Sequence, residues 1–333
     1  MRKIPVIFVI LLSMLLFVTS CKKTESVSEV RPEESVSAAQ TNSISVDISV
    51  AETPAEDSDA PDKTVADDGY QHVMVAGTEV RWDGYRAIEP ESNLDIRNMG
   101  FSDFGSFFTK QYPVTRDSYK LMEGQITETE VVHIHSATPG PVIYIVGGVH
   151  GDERAAWYSA LLMREATISC GDLYVIAPAN ANGARNVTRY VVGHEDLNRS
   201  FPGNPDGDDA EKLAFAIYQD IKEKRPDFVF DLHEAILMNE SRDFLGSTYI
   251  FTELDGMEDL FFDLLVATES GAICHNEFGF TGPGPAGSVN AEVTKHLHIP
   301  TITVETFRGF DIYRRVYDQL DTIQFVLDFY GMR

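Results

Sequence analysis

Strand-like and helix-like patterns alternate through the C-terminal part of the chain, and this alternation restricts the fold more than any other feature. Apolar runs of strand length occur at 130–136, 141–148, 172–179, 227–233, 247–253 and 301–306. Helical patterns occur at 153–166, 209–223, 257–269, 286–296 and 311–330. Such alternation predicts an α/β domain with a mixed, mostly parallel twisted sheet flanked by helices.

The first strand-like run, EVVHIHS at 130–136, differs from the later ones because apolar and polar residues alternate in it. An Ala-Thr-Pro-Gly segment separates it from the run at 141–148, so we expect it to be a hairpin strand at the edge of the sheet. The later runs are continuously apolar, which predicts strands that are covered on both faces.

The N-terminus has the pattern of an export signal. Arg2 and Lys3 precede an apolar run from Ile4 to Val18. This run is short for a membrane-spanning helix, which needs roughly 20 residues, and it is typical of a secretory signal. The Val-Thr-Ser-Cys sequence that ends at Cys21 resembles the bacterial lipobox, which implies a lipoprotein signal peptide at 1–21 and lipid attachment to Cys21. An ordinary signal with an incidental cysteine is the alternative, and either interpretation predicts an exported protein.

Composition divides the rest of the chain. Residues 22–69 are rich in Ser, Glu, Asp, Ala and Pro and contain no aromatic residue, so we expect a disordered acidic tether between a membrane anchor and the folded part. The segment 70–140 is interpreted as an N-terminal extension with edge strands, and 141–333 as the main domain. A formal charge of −25 argues against a nucleic-acid partner, since no basic stripe is present to contact phosphates.

Only two cysteines follow Cys21. Cys170 and Cys274 can either form a disulfide in an oxidising compartment or remain free thiols.

Polar side chains lie at the ends of four predicted strands. His150 follows the run at 141–148, His233 ends the run at 227–233, and Glu305 lies near the end of the run at 301–306. Asn180 and Asn182 follow the run at 172–179. Because functional sites in such sheets lie beyond the C-terminal ends of the strands, we expect these side chains to converge.

The sequence His150-Gly-Asp-Glu153 offers donors for a metal ion. Imidazole nitrogen and carboxylate oxygen suit Zn²⁺, and a catalytic zinc ion has three protein ligands and one water. The third ligand is expected to be His233, which shares one side of its strand with Asp231. The alternatives are a strand-end histidine beside a helix-capping glutamate, and a structural histidine at 233.

The segment GHEDLNRSFPG, at 193–203, concentrates polar residues between these motifs. The planar guanidinium of Arg199 suits a carboxylate, and Asn198 can add a hydrogen bond. A solvated surface loop is the alternative interpretation of this segment.

The order of HGDE, Arg-Tyr, DLNRSFPG, DLH and TVET between Val142 and Phe307 resembles the zinc carboxypeptidase superfamily. It is most similar to the succinylglutamate desuccinylase/aspartoacylase family. The resemblance implies a zinc carboxypeptidase-like fold for the domain at 141–333 and one Zn²⁺ per chain, held by His150, Glu153 and His233. It also implies that Asp196 supports the first of these histidines.

The same resemblance assigns roles in substrate binding and catalysis. It implies that Asn198 and Arg199 hold a substrate carboxylate, that Arg189 polarises the scissile carbonyl, and that Glu305 activates water. A structural hydrogen-bonding role is the alternative for Glu305.

Two departures from the resemblance affect the expected substrate. The segment from Asn276 to Val304 contains no tyrosine, although many carboxypeptidases of the superfamily carry a mobile one there. Aspartoacylases usually continue into a C-terminal β domain that shapes the substrate pocket, whereas the sequence after Glu305 is long enough for one helix only. The pocket is therefore expected to be shaped by the loops 234–246 and 276–288 or by 71–130.

These features together predict a zinc-dependent hydrolase that cleaves an amide bond in a small carboxylate-bearing substrate, as a deacylase of N-acyl amino acids does. A metallocarboxypeptidase or amidase acting on short peptidoglycan peptides is the first alternative. A lipoprotein that binds a carboxylated ligand without turnover is the second.

Overall fold

The computed structural model describes residues 68–333 except 76, 85, 91–98, 194, 237–245 and 275–277. The predicted signal peptide with Cys21, and the tether up to residue 67, lie outside the described residues. The described residues all belong to one compact unit. Within them, no helix has the length and apolar character needed to cross a bilayer.

Two sheets are present in the described part of the chain. The first is an antiparallel pair of β1 (Gln71–Val75) and β2 (Thr78–Trp82). The second has eight strands, namely β3 (Val114–Leu121), β4 (Thr129–Ser136), β5 (Val142–Gly147), β6 (Asp172–Ile176), β7 (Phe228–Ala235), β8 (Thr248–Phe251), β9 (Gly279–Thr281) and β10 (Thr301–Phe307).

The strand order in the large sheet is β3-β4-β6-β5-β7-β10-β8-β9. The four central strands β6, β5, β7 and β10 are parallel to their neighbours within this group, and β8 is parallel to β9. The pairs β3/β4, β4/β6 and β10/β8 are antiparallel. The predicted mixed, mostly parallel sheet is therefore confirmed.

Helices cover both faces of this sheet. They are α1 (Arg154–Met163), α2 (Ala181–Asn186), α3 (Asp209–Lys224), α4 (Glu258–Glu269), α5 (Val289–Leu297) and α6 (Ile312–Phe329), with short 3-10 helices at Phe101–Phe108 and Leu197–Arg199. Alternate residues of β5 show the two covered faces, because Ile143 and Ile145 pack in one apolar core while Tyr144 and Val146 pack in another. The first core includes residues of α1, α4 and α6, and the second includes residues of α3 and α5.

Local signals explain where these helices begin. The Asp208 side chain accepts a hydrogen bond from the amide of Glu211 at 2.8 Å, and the Glu211 carboxylate accepts one from the amide of Asp208 at 3.0 Å. This reciprocal capping box fixes the start of α3. The Ser288 side chain caps α5 in a similar way, by accepting from the amide of Ala291.

The segment 130–136 does form an antiparallel hairpin, with β3, but the prediction that it lies at the edge of the sheet is wrong. The corresponding strand, β4, lies between β3 and β6 and does not pair with β5. The edge strand on this side of the sheet is β3, whose sequence VTRDSYKL consists mainly of exposed residues. Because β3 pairs with only one strand, β4, it is less covered than the central strands. The sequence of β3 therefore lacks the apolar run from which the other strands were predicted.

The β1/β2 pair packs close to the C-terminal end of β10. Val80 and Trp82 form a small apolar core with Phe307 and Phe310. The amide of Ala87 donates to the carbonyl of Ile236, just beyond β7, at 3.2 Å. The segment that precedes the large sheet in sequence therefore contacts the edge at which the predicted site residues lie.

Cys170 and Cys274 are free thiols. Cys274 is buried, and burial raises the pKa of its thiol. The alternative in which these two cysteines form a disulfide is not found.

Candidate metal centre and active site

The C-terminal ends of three adjacent parallel strands place His150, His233 and Glu305 at one edge of the sheet. Gly147 at the end of β5 pairs with Leu232 of β7, and His233 of β7 pairs with Glu305 of β10. His150 follows β5 directly. The predicted convergence at the C-terminal ends of these strands is thus observed.

Two glycines make the turn after β5 possible. A Cβ atom on Gly147 would lie 2.4 Å from the Cβ of Ala160, and one on Gly148 would lie 2.5 Å from the Cβ of Trp157. Gly148 also has a φ of +78°, which glycine adopts without strain. The absence of side chains at both positions lets α1 pack against the strand end, which brings Glu153 back toward His150.

The carboxylate of Glu153 lies between two imidazole rings. Its Oε1 is 2.7 Å from Nδ1 of His150, and its Oε2 is 2.9 Å from Nδ1 of His233. All three side chains are buried, and one donor atom from each lies within 4.8 Å of the others. This set of two histidines and one glutamate corresponds to the donor set of several catalytic zinc sites.

The second nitrogen of each imidazole ring is close to another polar group. Nε2 of His150 is 3.0 Å from Oδ1 of Asp196. Nε2 of His233 is 3.2 Å from the side-chain amide of Asn198, within hydrogen-bond distance. The same Nε2 is 3.0 Å from Oδ1 of Asp231, but these two atoms are not aligned for a hydrogen bond. Both Nδ1 atoms therefore face the common centre. Metal-binding histidines are usually held in this way by a group on the other ring nitrogen, so the residues present fit a divalent metal ion.

The charges at this centre stabilise one another. Burial alone would raise the pKa of Glu153, but the two adjacent histidines hold it well below its usual range. Burial alone would lower the pKa of His150, but Glu153 and Asp196 outweigh burial and raise it. A metal ion bound here would take the place of the protons on these rings, so metal affinity is coupled to pH.

Glu305 has the properties of a buried group that exchanges protons. Its Oε2 is buried and has no hydrogen-bond partner among the described residues. Burial raises the pKa of Glu305 to about 7. A buried polar atom without a partner costs on the order of 1–3 kcal/mol, so such atoms are uncommon where they have no function.

Arg189 lies at the border of the centre. Its Nη2 and Nε donate to Oδ2 of Asp196 at 3.0 and 3.2 Å, and its Nη1 is 3.4 Å from Oε1 of Glu153. The loop that carries it is held by Asn180, whose side chain caps α2 and donates to the carbonyl of Tyr190 at 3.0 Å. Asn180 therefore supports the site without joining the metal centre.

Asn198 and Arg199 differ in their accessibility. Asn198 is buried, and its Oδ1 accepts from the amide of Val289 at 3.2 Å while its Nδ2 faces His233. Arg199 is exposed, and its Nη1 donates to the carbonyl of Asn198 at 2.6 Å. The structure thus gives Asn198 contacts that position His233 and α5, and it leaves the Arg199 guanidinium at the surface. Predicted roles of these two residues in binding a carboxylate stay predictions.

The pocket loops are only partly described. Residues 237–245 of the predicted loop 234–246 lie outside the described residues, as do 276 and 277 of the loop 276–288. The remainder of the second loop contacts the DLNRSFPG segment, since the amide of Phe201 donates to the carbonyl of Gly287 at 3.0 Å.

A charged network that was not predicted from the sequence lies next to the candidate metal centre. The guanidinium of Arg315 on α6 is fully buried and contacts the carboxylate of Glu234 on one side, with Glu89 at 2.8 Å on the other. Glu234 accepts a hydrogen bond from the amide of Ala155 at 3.0 Å and donates its own amide to Oε2 of Glu153 at 3.0 Å. This network links α6 and the segment after β2 to a candidate metal ligand.

A second contact from α6 reaches the same strand. Nε2 of Gln319 donates to the carbonyl of His233 at 2.9 Å. Arg315 and Gln319 are four residues apart on a buried face of α6 that is otherwise largely apolar, between Ile312 and Leu327. Polar residues at such positions were the signal that could have identified this network.

The fold and the His-Glu-His cluster define an α/β domain with a candidate mononuclear metal centre. More specifically, residues 139–327 match the family described as the succinylglutamate desuccinylase/aspartoacylase catalytic domain. This match covers more than half of the chain, and the chain belongs to this family. The resemblance inferred from the sequence motifs is confirmed.

Solved structures share this fold. A succinylglutamate desuccinylase from Silicibacter sp. TM1040 aligns with a TM-score of 0.52 and 17% identity over 67% of this chain and 72% of that one. The product-bound ectoine utilization protein from Ruegeria pomeroyi aligns with a TM-score of 0.50 and 18% identity over 67% and 72%. The product-bound cell shape determinant protein from Helicobacter pylori aligns with a TM-score of 0.51 and 15% identity over 62% and 56%. A comparison with curated proteins finds no significant match.

Proposed function

We propose that this protein is a zinc-dependent hydrolase that cleaves an amide bond in a carboxylate-bearing substrate of the N-acyl amino acid type. The observation that carries the proposal is the buried cluster of His150, Glu153 and His233, together with the Glu305 carboxylate oxygen on the adjacent strand, which has no hydrogen-bond partner within the described part of the chain. Membership of the desuccinylase/aspartoacylase family supports the same reaction class.

The three clustered residues would hold one Zn²⁺ ion. When bound, zinc would polarise the scissile carbonyl and lower the pKa of a water molecule. Asp196 and Asn198 keep the two imidazole rings oriented, because each lies on the outer nitrogen of one ring.

Glu305 would carry the proton in this reaction. Its Oε2 would accept the proton of the attacking water and return it to the leaving amine. Burial supports this assignment, since it raises the pKa of Glu305 to about 7, where a carboxyl group can both accept and donate a proton.

Arg189 would stabilise the negative charge that develops on the carbonyl oxygen. Its position supports this role, because its Nη1 lies 3.4 Å from Glu153 while Asp196 fixes the other side of the guanidinium. Burial alone would lower the pKa of Arg189, but the adjacent Glu153 and Asp196 raise it, so the group stays cationic.

Arg199 would recognise the substrate carboxylate. Its guanidinium is exposed beside the site, and the planar fork suits two hydrogen bonds to a carboxylate. Asn198 would contribute mainly by positioning, through its contacts with His233 and Val289.

A peptidoglycan-peptide metallocarboxypeptidase or amidase is the second candidate. It is favoured by the shared fold with the cell shape determinant protein and by an exported location, which we also propose. The lack of tyrosine between Asn276 and Val304 disfavours a plain carboxypeptidase. A ligand-binding lipoprotein without turnover is less well supported, because all candidate metal ligands and Glu305 are present.

The location that we propose is the outer side of a membrane. The pattern at 1–21 supports export and a lipid anchor at Cys21, and the acidic segment 22–69 would separate the domain from the lipid surface.

A hydrolysis screen tests the substrate class. N-acyl amino acids, their α-carboxamide counterparts and muropeptides are incubated with the zinc-loaded protein, and released amines are measured. We expect hydrolysis of the N-acyl amino acids with a large loss of rate for the carboxamides, because Arg199 requires a carboxylate partner.

Arg199→Ala should weaken discrimination between acid and carboxamide, while Arg185→Ala, at an exposed arginine of α2, should not. Release of C-terminal residues from muropeptides without N-acyl cleavage would favour the second candidate.

A further inference from the structure

A second cluster of potential metal ligands lies at the opposite end of the parallel strands from the candidate centre. His133 and His135 are on β4, two residues apart, and His135 pairs with Asp172 at the start of β6. Asp172 also pairs with Val142, the first residue of β5, whereas His150 follows the last residue of β5. The cluster therefore lies at the N-terminal end of the parallel strands and is separate from the site already described.

The donor atoms of this second cluster converge on one carboxylate oxygen. Oδ1 of Asp172 is 2.6 Å from Nε2 of His133 and 2.8 Å from Nδ1 of His135. One donor atom from each residue lies within 4.8 Å of the other two. The same pattern, in which two imidazole nitrogens approach one carboxylate, is found at the cluster of His150, Glu153 and His233.

The His133 ring is fixed by its neighbours. It stacks on Tyr174 with ring centroids 4.3 Å apart and an interplanar angle of 4°. Its outer nitrogen, Nδ1, lies 3.3 Å from Oδ1 of Asp117 on β3. A carboxylate on the outer nitrogen orients a metal-binding histidine and increases its basicity, as Asp196 does for His150 in the other cluster.

Solvent access distinguishes this cluster from the buried centre. The side chains of His133 and Asp172 are 18% and 25% exposed, and that of His135 is 50% exposed. An ion held by these three residues would therefore complete its coordination with water. Two imidazoles and one carboxylate are suitable donors for borderline divalent ions such as Zn²⁺.

We propose that His133, His135 and Asp172 form a second, solvent-facing site for a divalent transition metal ion. The ion cross-links β4 and β6, and it thereby stabilises the antiparallel side of the sheet that ends in β3. This site does not depend on the proposed hydrolase function, because it shares no residue with the catalytic centre.

Zinc titration of the purified full-length protein tests this proposal. Calorimetry is carried out with Zn²⁺ alone, and thermal unfolding is followed with and without the ion. We expect about two zinc ions per chain for the wild type and about one for His133→Ala/His135→Ala. His150→Ala/His233→Ala should also bind about one, and that variant should still be stabilised against unfolding by zinc.

Two further variants control for changes in folding. Asp172→Asn preserves the size of the side chain but removes the charge, and we expect it to weaken the second site while leaving the first unchanged. His72→Ala/His296→Ala removes two other histidines and should leave the zinc count at the wild-type value. The proposal is overturned if folded His150→Ala/His233→Ala binds no zinc, or if His133→Ala/His135→Ala binds as many ions as the wild type. If His150→Ala/His233→Ala binds as many zinc ions as the wild type, the buried centre holds no zinc, and the proposed function is contradicted instead.

Discussion

We expect the Glu305→Gln variant to retain zinc and to lose about 100- to 10,000-fold in kcat/KM, the usual contribution of a positioned acid–base group. Glutamine has nearly the size of glutamate but cannot accept a proton from water. The carboxylate oxygen that it replaces has no hydrogen-bond partner among the described residues, so the substitution removes little structural support. Metal analysis and steady-state kinetics on the same preparation check both parts of this result.

The pH profile provides an independent readout for Glu305. A general base works only when it is deprotonated, so wild-type kcat/KM falls as the pH drops through the pKa of this carboxyl. Burial raises the pKa of Glu305 to about 7, and a bound metal cation would lower it from there. The residual activity of Glu305→Gln should lack this acid limb. Glu253→Gln, at an exposed glutamate, is the matched control and should keep both rate and profile. Wild-type activity in Glu305→Gln would exclude Glu305 as the base.

We expect the Arg315→Leu variant to be destabilised by about 3–5 kcal/mol, the cost of removing one partner from a buried ion pair. Arg315 is fully buried between Glu234 and Glu89. Without its guanidinium, the buried Glu234 carboxylate loses its direct ion-pair partner and is left with the weaker attraction of Arg308. Denaturant unfolding of the variant and wild type measures this loss.

Two comparisons separate this explanation from a simple packing defect. Glu234→Gln in the Arg315→Leu background should recover part of the loss, because it removes the unpaired charge. Arg185→Leu, at an exposed site on α2, should change the free energy of unfolding by no more than about 0.5 kcal/mol. If the double variant is no more stable than Arg315→Leu, the charge on Glu234 is not the cause.

The destabilisation of Arg315→Leu also depends on pH. Burial raises the pKa of Glu234 to about 7, although Arg315 lowers it. Removal of Arg315 raises this pKa further, so the folded variant binds a proton more readily than the unfolded chain. Protonation then offsets the lost charge pair, and the destabilisation should be smaller at about pH 5 than at about pH 8.

The sequence was sufficient to predict the central strands and the cluster of candidate metal ligands. Each central strand is buried on both faces, so its apolar run is visible locally, and His150 and Glu153 are only three residues apart. His233 could be added because the C-terminal ends of parallel strands meet at one edge. The family resemblance then supplied roles for Asp196 and Glu305.

Features that depend on partners distant in sequence could not be predicted. The edge strand β3 has mostly exposed residues, and its register with β4 is set by tertiary pairing. The ion pairs of Arg315 reach Glu234 and Glu89, 81 and 226 residues away. Asn198 was assigned a role in binding substrate, yet the structure shows contacts with His233 and α5 that only the folded chain brings together.

The zinc content of the domain, measured together with its hydrolytic activity, decides whether the buried cluster is a catalytic zinc site. The measurement uses the His133→Ala/His135→Ala background, so that only the buried cluster of His150, Glu153 and His233 is counted. We expect about one zinc ion per chain, amide hydrolysis that is lost on chelation and restored by Zn²⁺, and loss of both zinc and activity in His233→Ala. Full hydrolysis by metal-free protein, or zinc binding that is unchanged by His233→Ala, would contradict this expectation.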